Sequence, residues 1–324
     1  MSTTDDRRNS TIDILRGCSA IAVAVFHFNA PYPALPDVYH GMARQGWIGV
    51  SVFFVLSGFC ISAAASKQKG GVTMFWFRRL MRIYPPYWAS LLLVLWVVAL
   101  RLTTSGANDV TGLPKDAVSW FYTVTALTSP ASHVPTMNWV YWSLSYELAF
   151  YIMMGLLFFR AVGPAMIALS LIALFKLGYP FDQWGLFGLG VGCHILSQRR
   201  FVTAACILAI CLAQVFLRQN LNAAVAGTFA AILIIFPPNL ALSQIVRPLK
   251  QAGLFSYSLY LVHVPIGCFL IPNYMPWKLG RQFWPSLLQD SILLVCCLAV
   301  ARFFYIAVER PAHEYARRRS LRPN

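Results

Sequence analysis

The sequence predicts an all-α integral membrane protein built as a single transmembrane domain. Hydrophobic residues make up 58% of its 324 positions and charged residues only 11%, with eleven acidic side chains. A soluble protein of this length needs more charge to cover its surface. The apolar residues also fall in runs of about 20, the length of a helix that crosses a bilayer. We expect one domain over residues 1–324, with a polar tail at 1–11 and a basic tail at 312–324.

About ten transmembrane helices are predicted from these apolar runs. In chain order they cover residues 12–30, 47–66, 84–103, 139–159, 163–178, 183–197, 201–217, 221–237, 253–271 and 287–308. Lys and Arg residues collect on the cytoplasmic side of membrane proteins. With the N-terminus inside, 17 of them fall in inner segments and seven in outer segments. We therefore expect an N-in, C-in protein.

Two other classes of protein are not indicated by the composition. The formal net charge of +15 follows from the placement of basic residues in cytoplasmic loops, so nucleic-acid binding is not expected. None of the eight cysteines has metal-ligand spacing with a histidine, so no metal site is expected.

The longest stretch between predicted spans, residues 104–138, lies on the predicted outer side. Its apolar part, residues 117–127, is too short to cross the membrane. This part predicts an outer segment that is either interfacial or re-entrant.

The first predicted helix carries two ionisable residues, Arg16 and His27, which an apolar span does not require. They are eleven residues apart, so both side chains lie on one helix face, roughly 16 Å apart along the axis. Ionisable groups inside a membrane are costly and are candidates for function. In the predicted orientation Arg16 lies near the cytoplasmic end and His27 near the outer end. Arg16 either contacts a substrate or pairs with Asp13, three residues before it.

Two further arginines, Arg79 and Arg82, are neighbours on a short amphipathic helix that we expect at the cytoplasmic surface. Two guanidinium groups on one face can bind phosphates, because arginine donates bidentately to phosphate oxygens. The alternative is an interfacial helix whose arginines face lipid headgroups.

Glu147 lies in the fourth predicted span, directly after Trp142-Ser143-Leu144-Ser145-Tyr146. A carboxylate at this depth either pairs with a cation or acts as an acid or base. His27 is the expected partner, because both residues lie in the outer half of the membrane and the pair would orient the imidazole as a general base. The alternative is a structural ion pair with an arginine. His263, in the middle of the ninth predicted span, is of a kind that is more often a buried hydrogen-bonding residue than a catalytic one.

Together these segments resemble the acyltransferase family 3 membrane proteins, which include bacterial O-acetylases of O-antigen, exopolysaccharide and Nod factors. The resemblance rests on six segments in the family's order: Asp13–Gly17 with His27, Phe53–Phe59, Arg79–Ile83 with Pro85 and Tyr87, Trp142–Ser145 with Glu147, Ser256–Leu261 with His263, and Glu309–Pro311. Residues 160–250 carry no diagnostic motif.

The resemblance implies roles for the matched positions. Arg16 and His27 match the family's arginine-to-histidine motif, and the paired arginines Arg79 and Arg82 match those thought to hold the acyl donor. Two departures stand out, because the family often has a second glutamate in place of Leu148 and an acidic residue in place of Ser51. Many members also carry a C-terminal esterase-like domain, which we do not expect in this chain.

The function expected from the resemblance is transfer of an acetyl group from acetyl-CoA to a sugar hydroxyl of a cell-surface polysaccharide or its lipid-linked precursor. Arg79 and Arg82 would hold the CoA phosphates, with Arg16 along the donor path. His27, oriented by Glu147, would take the proton from the acceptor hydroxyl in a direct transfer without a metal. Succinyl transfer, and a transporter or flippase of a lipid-linked sugar, are the alternatives. Candidates for binding the acceptor are Trp142, Ser145, Tyr146 and His263.

Overall fold

A computed structural model shows the protein as a bundle of α-helices. It describes residues 4–32, 37–66, 71–105, 113–175, 177–239, 243–274 and 282–319. The helices are α1 (Thr4–Asn29), α2 (Val38–Ala43), α3 (Gly49–Ser66), α4 (Gly71–Ser105), α5 (Ala117–Val124), α6 (Trp142–Met153), α7 (Phe159–Ile172), α8 (Trp184–Ser197), α9 (Phe201–Arg218), α10 (Leu221–Ile235), α11 (Ser243–Leu254), α12 (Ser256–His263), α13 (Ile271–Tyr274), α14 (Phe283–Phe304) and α15 (Arg310–Arg319). No β-strand occurs within the described ranges, so the prediction of an all-α protein is confirmed.

Five helical stretches are long and apolar enough to cross a membrane. They are Asp5–Asn29, Val38–Ser66, Gly71–Thr104, Phe201–Arg218 and Phe283–Arg319. The pair α11 and α12, bent by 75° between Leu254 and Ser256, makes a sixth if it forms one broken span. These stretches indicate a membrane protein.

The prediction of ten spans is not confirmed. Each predicted run contains a helix, but α8 and α10 have only 14 and 15 residues. The fourth and fifth predicted runs are also not separate, because α6 continues through the π-helical turn Met154–Phe158 directly into α7. A straight helix needs about 20 residues to cross the hydrocarbon core. The N-in, C-in orientation also stays a prediction. Six of the basic residues on which it rests lie outside the described residues: Lys67, Lys69, Lys176, Lys278, Arg281 and Arg322.

The two predicted tails continue into helices in the described part of the chain. Residues 4–11 belong to α1, and residues 312–319 belong to α15. Residues 1–3 and 320–324 lie outside the described residues.

The paired arginines do not lie on a separate short helix, which corrects the prediction of an amphipathic surface element. Residues 75–82 form early turns of α4, which continues as one helix of 35 residues through Pro85 and Pro86. Prolines are tolerated inside membrane helices where neighbouring groups engage the backbone near them. One such contact is made by the Tyr257 hydroxyl, which donates to the carbonyl of Ile83 at 3.2 Å.

The short helix α5 lies alongside α4 rather than beyond its end. Tyr84 donates to the Thr125 carbonyl at 3.0 Å, and Trp88 donates to the Val124 carbonyl at 2.9 Å. These two α4 residues precede the end of α4 at Ser105 by roughly 25–32 Å along the helix axis. The choice between an interfacial and a re-entrant segment stays a prediction.

Asp116 begins α5 by accepting a hydrogen bond from the Ser119 backbone N–H at 2.7 Å. This bond holds the pKa of the Asp116 carboxyl below its usual range, because it favours the ionised form.

Glycines allow two central helices, α3 and α8, to approach closely. A β-carbon added at Gly58 would overlap the Phe187 carbonyl, and one added at Gly190 would overlap the Val55 carbonyl. Small residues at helix contacts are typical of membrane proteins, in which close packing replaces the hydrophobic effect. This contact fixes the positions of the α3 residues that line the cavities described next.

Candidate active site

A cavity of about 500 Å³ lies where the early turns of α4 meet α15. Its lining consists of Arg78, Arg79, Arg82, His313, Ala316 and Arg317. Five of these six side chains can carry a positive charge and none is acidic. This arginine cavity therefore suits an anion with several charges.

Two side chains of the arginine cavity have polar atoms without partners. The Nε of Arg79 and the Nε2 of His313 are buried and form no hydrogen bond within the described residues. The Arg79 guanidinium lies 5.8 Å from the ring centroids of Phe75 and Tyr151, which hold it in place by cation–π contacts. Buried donors without partners are costly unless a ligand engages them. The pattern therefore favours an anion site over arginines that face lipid headgroups.

A second cavity lies next to the arginine cavity, and Arg82 lines both. We call it the central cavity. Its lining comprises Arg16, Val50, Phe53, Phe54, Leu56, Ser57, Arg82, Ile83, Ser143, Leu144, Glu147, Ser256, Tyr257 and Tyr260. The mixture of apolar side chains with hydroxyl groups suits a chain of methylene and amide groups.

Arg16 lies in the wall of the central cavity and faces α3. Its Nη2 atom donates to the Cys60 sulfur at 3.2 Å. Within the described residues it forms no ion pair with Asp13. The two side chains still interact electrostatically, so both alternatives for Arg16 stay predictions.

A third cavity, of about 540 Å³, lies at the opposite end of the chain of cavities. Its lining comprises Val23, Phe26, His27, Trp47, Val50, Ser51, Phe54, Trp142, Gln183, Gln219 and Tyr260. Val50, Phe54 and Tyr260 line both this histidine cavity and the central cavity. Neighbouring cavities thus share lining residues all the way from the arginine cluster to His27.

His27 pairs with His263 across α1 and α12. The Nδ1 atom of His27 lies 3.0 Å from the Val23 carbonyl oxygen and 3.1 Å from the Nε2 of His263. The Nδ1 of His263 lies 2.9 Å from the Leu259 carbonyl oxygen. Within the described residues, no group of three or more potential metal ligands forms around this pair or elsewhere.

The two backbone carbonyls determine which nitrogens of the histidine pair carry protons. A carbonyl oxygen only accepts, so Nδ1 of His263 donates to Leu259 and its Nε2 has a free lone pair. The Nδ1 of His27 therefore donates, shared between the Val23 carbonyl and the Nε2 of His263. In neutral His27 the Nε2 atom is then unprotonated, and it can accept a proton.

The predicted pair of His27 and Glu147 is not formed. No hydrogen bond or ion pair joins these two side chains in the described part of the chain. Glu147 instead accepts from the Tyr151 hydroxyl at 2.5 Å and interacts electrostatically with Arg82. A partly buried carboxylate gains more from a cation than from a neutral imidazole, which explains why Glu147 lies near Arg82. The catalytic roles of His27 and Glu147 stay predictions.

The four predicted acceptor-binding residues divide between cavity and packing positions. Trp142 lines the histidine cavity, and His263 contacts His27. Ser145 is fully buried and donates to two backbone carbonyls that follow α5. The Ala126 carbonyl oxygen is 2.9 Å away and the Thr128 carbonyl oxygen 3.2 Å away. Tyr146 is also buried and donates to Asp182 at 2.6 Å, beside the cavity rather than in its lining.

Three polar residues near the cavities were not predicted as site residues. Glu309, from the matched segment Glu309–Pro311, is buried and accepts from both the backbone N–H and the hydroxyl of Ser258, at 3.2 and 2.5 Å. Gln183 and Gln219 come from the stretch without motifs. The residues around these two glutamines indicate the end of a helix, but they do not indicate a binding site.

Residues 9–306 match the family model described as "Acyltransferase domain", and the chain belongs to this acyltransferase family. The resemblance to acyltransferase family 3 is therefore confirmed over nearly the whole chain. The residues that line the three cavities lie within the matched region, except for His313, Ala316 and Arg317.

Curated relatives from three bacteria are similar to the chain. "Putative peptidoglycan O-acetyltransferase YrhL" of Bacillus subtilis is 27% identical over 363 residues, which cover 93% of this chain and 54% of the relative. "Acyltransferase MdmB" of Streptomyces mycarofaciens is 36% identical over 149 residues, which cover 43% of this chain and 36% of the relative. "Putative membrane-bound transacylase BcsY" of Komagataeibacter xylinus is 25% identical over 352 residues, which cover 96% of this chain and 84% of the relative. The chain thus spans about half of YrhL, and no solved structure matches it significantly.

Proposed function

We propose that the protein is a membrane O-acetyltransferase that moves an acetyl group from acetyl-CoA to a sugar hydroxyl of a cell-surface polysaccharide or its lipid-linked precursor. The observation that carries the proposal is the series of three cavities, with lining residues shared between neighbours, that leads from four arginines to His27. The family supports acyl transfer. The name of YrhL, a peptidoglycan O-acetyltransferase, supports a hydroxyl of a cell-surface polymer as acceptor, and the name of BcsY supports acyl transfer at a membrane. The proposed location is a bacterial inner membrane, with the arginine cavity on the cytoplasmic side.

The donor is proposed to enter from the arginine cavity. Its phosphates would bind Arg79 and Arg82, because guanidinium groups donate to phosphate oxygens in pairs. The pantetheine arm, a flexible chain of amides and methylenes, would extend through the central cavity past Arg16. That path follows α1, on which Arg16 and His27 are roughly 16 Å apart.

His27 is proposed as the general base. Its Nε2 takes the proton from the acceptor hydroxyl while the hydroxyl oxygen attacks the thioester carbonyl, so a C–O bond forms and the C–S bond breaks. The CoA sulfur leaves and recovers the proton from the imidazolium, which returns His27 to its neutral form. His263 acts as the positioning residue, because it receives the Nδ1–H of His27 and holds the ring with Nε2 available.

Glu147 is proposed to position Arg82 and Tyr151 beside the donor path instead of orienting His27. The hydrogen bond from Tyr151 and the charge of Arg82 support this role. A carboxylate between the donor phosphates and the thioester also neutralises the arginines while no donor is bound.

The proposal is tested with the purified chain in lipid nanodiscs and radiolabelled acetyl-CoA. We expect label to appear in an added glycan acceptor, and succinyl-CoA to be used less well. Arg310, which is exposed and paired with Glu314 at 2.8 Å near the same end of the bundle, provides a matched control for the arginine variants described below. Movement of a lipid-linked sugar without any label transfer would contradict the proposal and favour a flippase.

A further inference from the structure

Two glutamines from segments without a recognised motif line the histidine cavity beside His27. Gln183 directly precedes α8, and Gln219 directly follows α9. Trp47 and Trp142 line the same cavity. None of its lining residues is a lysine, arginine, aspartate or glutamate. The cavity therefore combines neutral hydrogen-bonding groups with large aromatic faces.

One residue, Asp182, holds both glutamines. The Nε2 of Gln219 donates to its backbone carbonyl at 2.5 Å, and the Nε2 of Gln183 lies 3.4 Å from its Oδ2. Tyr146 donates to the same Oδ2 at 2.6 Å and so fixes the carboxylate. One N–H of each glutamine side chain is thus engaged.

The side-chain oxygens of these glutamines can accept hydrogen bonds from a ligand. In the described part of the chain, the Oε1 atoms of Gln183 and Gln219 form no hydrogen bond. An amide oxygen only accepts, so its complement is a ligand that donates. Hydroxyl groups are such donors, and a ring that carries several of them can bind both glutamines at once.

We infer that the histidine cavity is a binding site for a neutral sugar ring and that Gln183 and Gln219 determine which of its hydroxyls reacts. This inference rests on the proposed transfer to a sugar hydroxyl. Two hydroxyls of the ring donate to the glutamine oxygens, and the apolar face of the ring packs on Trp47 or Trp142. A further hydroxyl is then directed at the Nε2 of His27.

The lining also argues for an uncharged sugar over an acidic one. A carboxylate brought into this cavity would lose its hydration and meet no lysine or arginine. A neutral ring needs only acceptors, donors and an apolar surface, all of which the cavity supplies. The cavity would therefore favour neutral sugars over acidic sugars at the binding step.

The test is direct binding of sugars to the full chain in nanodiscs by saturation-transfer NMR. The probes are the methyl glycosides of glucose, galactose, mannose and N-acetylglucosamine, with methyl glucuronide as the charged comparison. The variants Gln183→Met and Gln219→Met keep the side-chain length and remove the amide. Gln45→Met is the matched control, because Gln45 is exposed and contacts Asn222 without lining the cavity. The affinity of each variant for CoA, measured by calorimetry, reports that it is folded.

We expect at least one neutral glycoside to bind, methyl glucuronide to bind more weakly, and each of the Gln183 and Gln219 variants to weaken binding about tenfold. The Gln45 variant should bind like the unmodified chain. Equal binding by all three variants, stronger binding of glucuronide, or no binding of any neutral glycoside would overturn the inference. If the chain binds a neutral glycoside through these glutamines but transfers no acetyl group to it, the proposed function fails and the sugar site stands.

Discussion

Replacement of His263 tests the histidine pair as the source of the proposed general base. The Nδ1 hydrogen of His27 is shared between the Val23 carbonyl at 3.0 Å and the Nε2 of His263 at 3.1 Å. His263→Leu removes one of these two acceptors and leaves the other. The expected loss is that of one neutral hydrogen bond, about 1–1.5 kcal/mol. That corresponds to a fall in kcat of about tenfold, far less than the roughly 10⁴-fold loss that follows disruption of a charged partner in a Ser-His-Asp triad.

The assay is the initial rate of acetyl transfer by the purified chain, with kcat and the KM for acetyl-CoA measured separately. His263→Gln keeps an acceptor near the end of the side chain and should recover most of the rate lost in His263→Leu. The KM for acetyl-CoA should stay the same in both variants, since His263 does not line the arginine cavity. An unchanged kcat in His263→Leu, or equal losses in the two variants, would refute the reasoning.

Three further outcomes are expected. His27→Ala should lower acetyl transfer at least a hundredfold and leave CoA affinity intact in calorimetry, because it removes the proposed base; full activity would exclude that role. Arg79→Ala and Arg82→Ala should each weaken CoA binding about tenfold or more in calorimetry, with a smaller difference at high salt, whereas unchanged affinity would count against the donor site. Gly58→Leu should cost more than about 3 kcal/mol or prevent folding, seen as a lower Tm, while Gly41→Leu, at a position with no neighbour within 4 Å, should leave the Tm nearly unchanged.

Much of the helical architecture is predictable from the sequence, because length and apolarity are local properties. Every predicted run contains a helix, and the cationic neighbours Arg79 and Arg82 share one cavity as their spacing implies. The number of spans is less predictable. A helix such as α8, with 14 residues, is wrapped by its neighbours and can be apolar without being long enough to span.

The pairing of polar side chains is where sequence reasoning ends. His27 and Glu147 were expected partners because their predicted depths in the membrane are similar. Depth in the membrane does not specify the direction in which a side chain points around its helix. Glu147 faces Arg82, and His27 faces His263. Gln183 illustrates the same limit, because its proximity to His27 depends on how distant helices pack and not on any local pattern.

The residues shared by the central and histidine cavities have a consequence for how a cell supplies the reaction. The residues that line both cavities are Val50, Phe54 and Tyr260. In the proposed reaction only the acetylated tip of the donor passes them, while the nucleotide stays with the arginines and the sugar stays with His27. The membrane then stays impermeable to both the nucleotide and the sugar. If the proposed reaction holds, CoA stays on the side of the arginines, and only the acetyl group reaches the sugar on the side of His27.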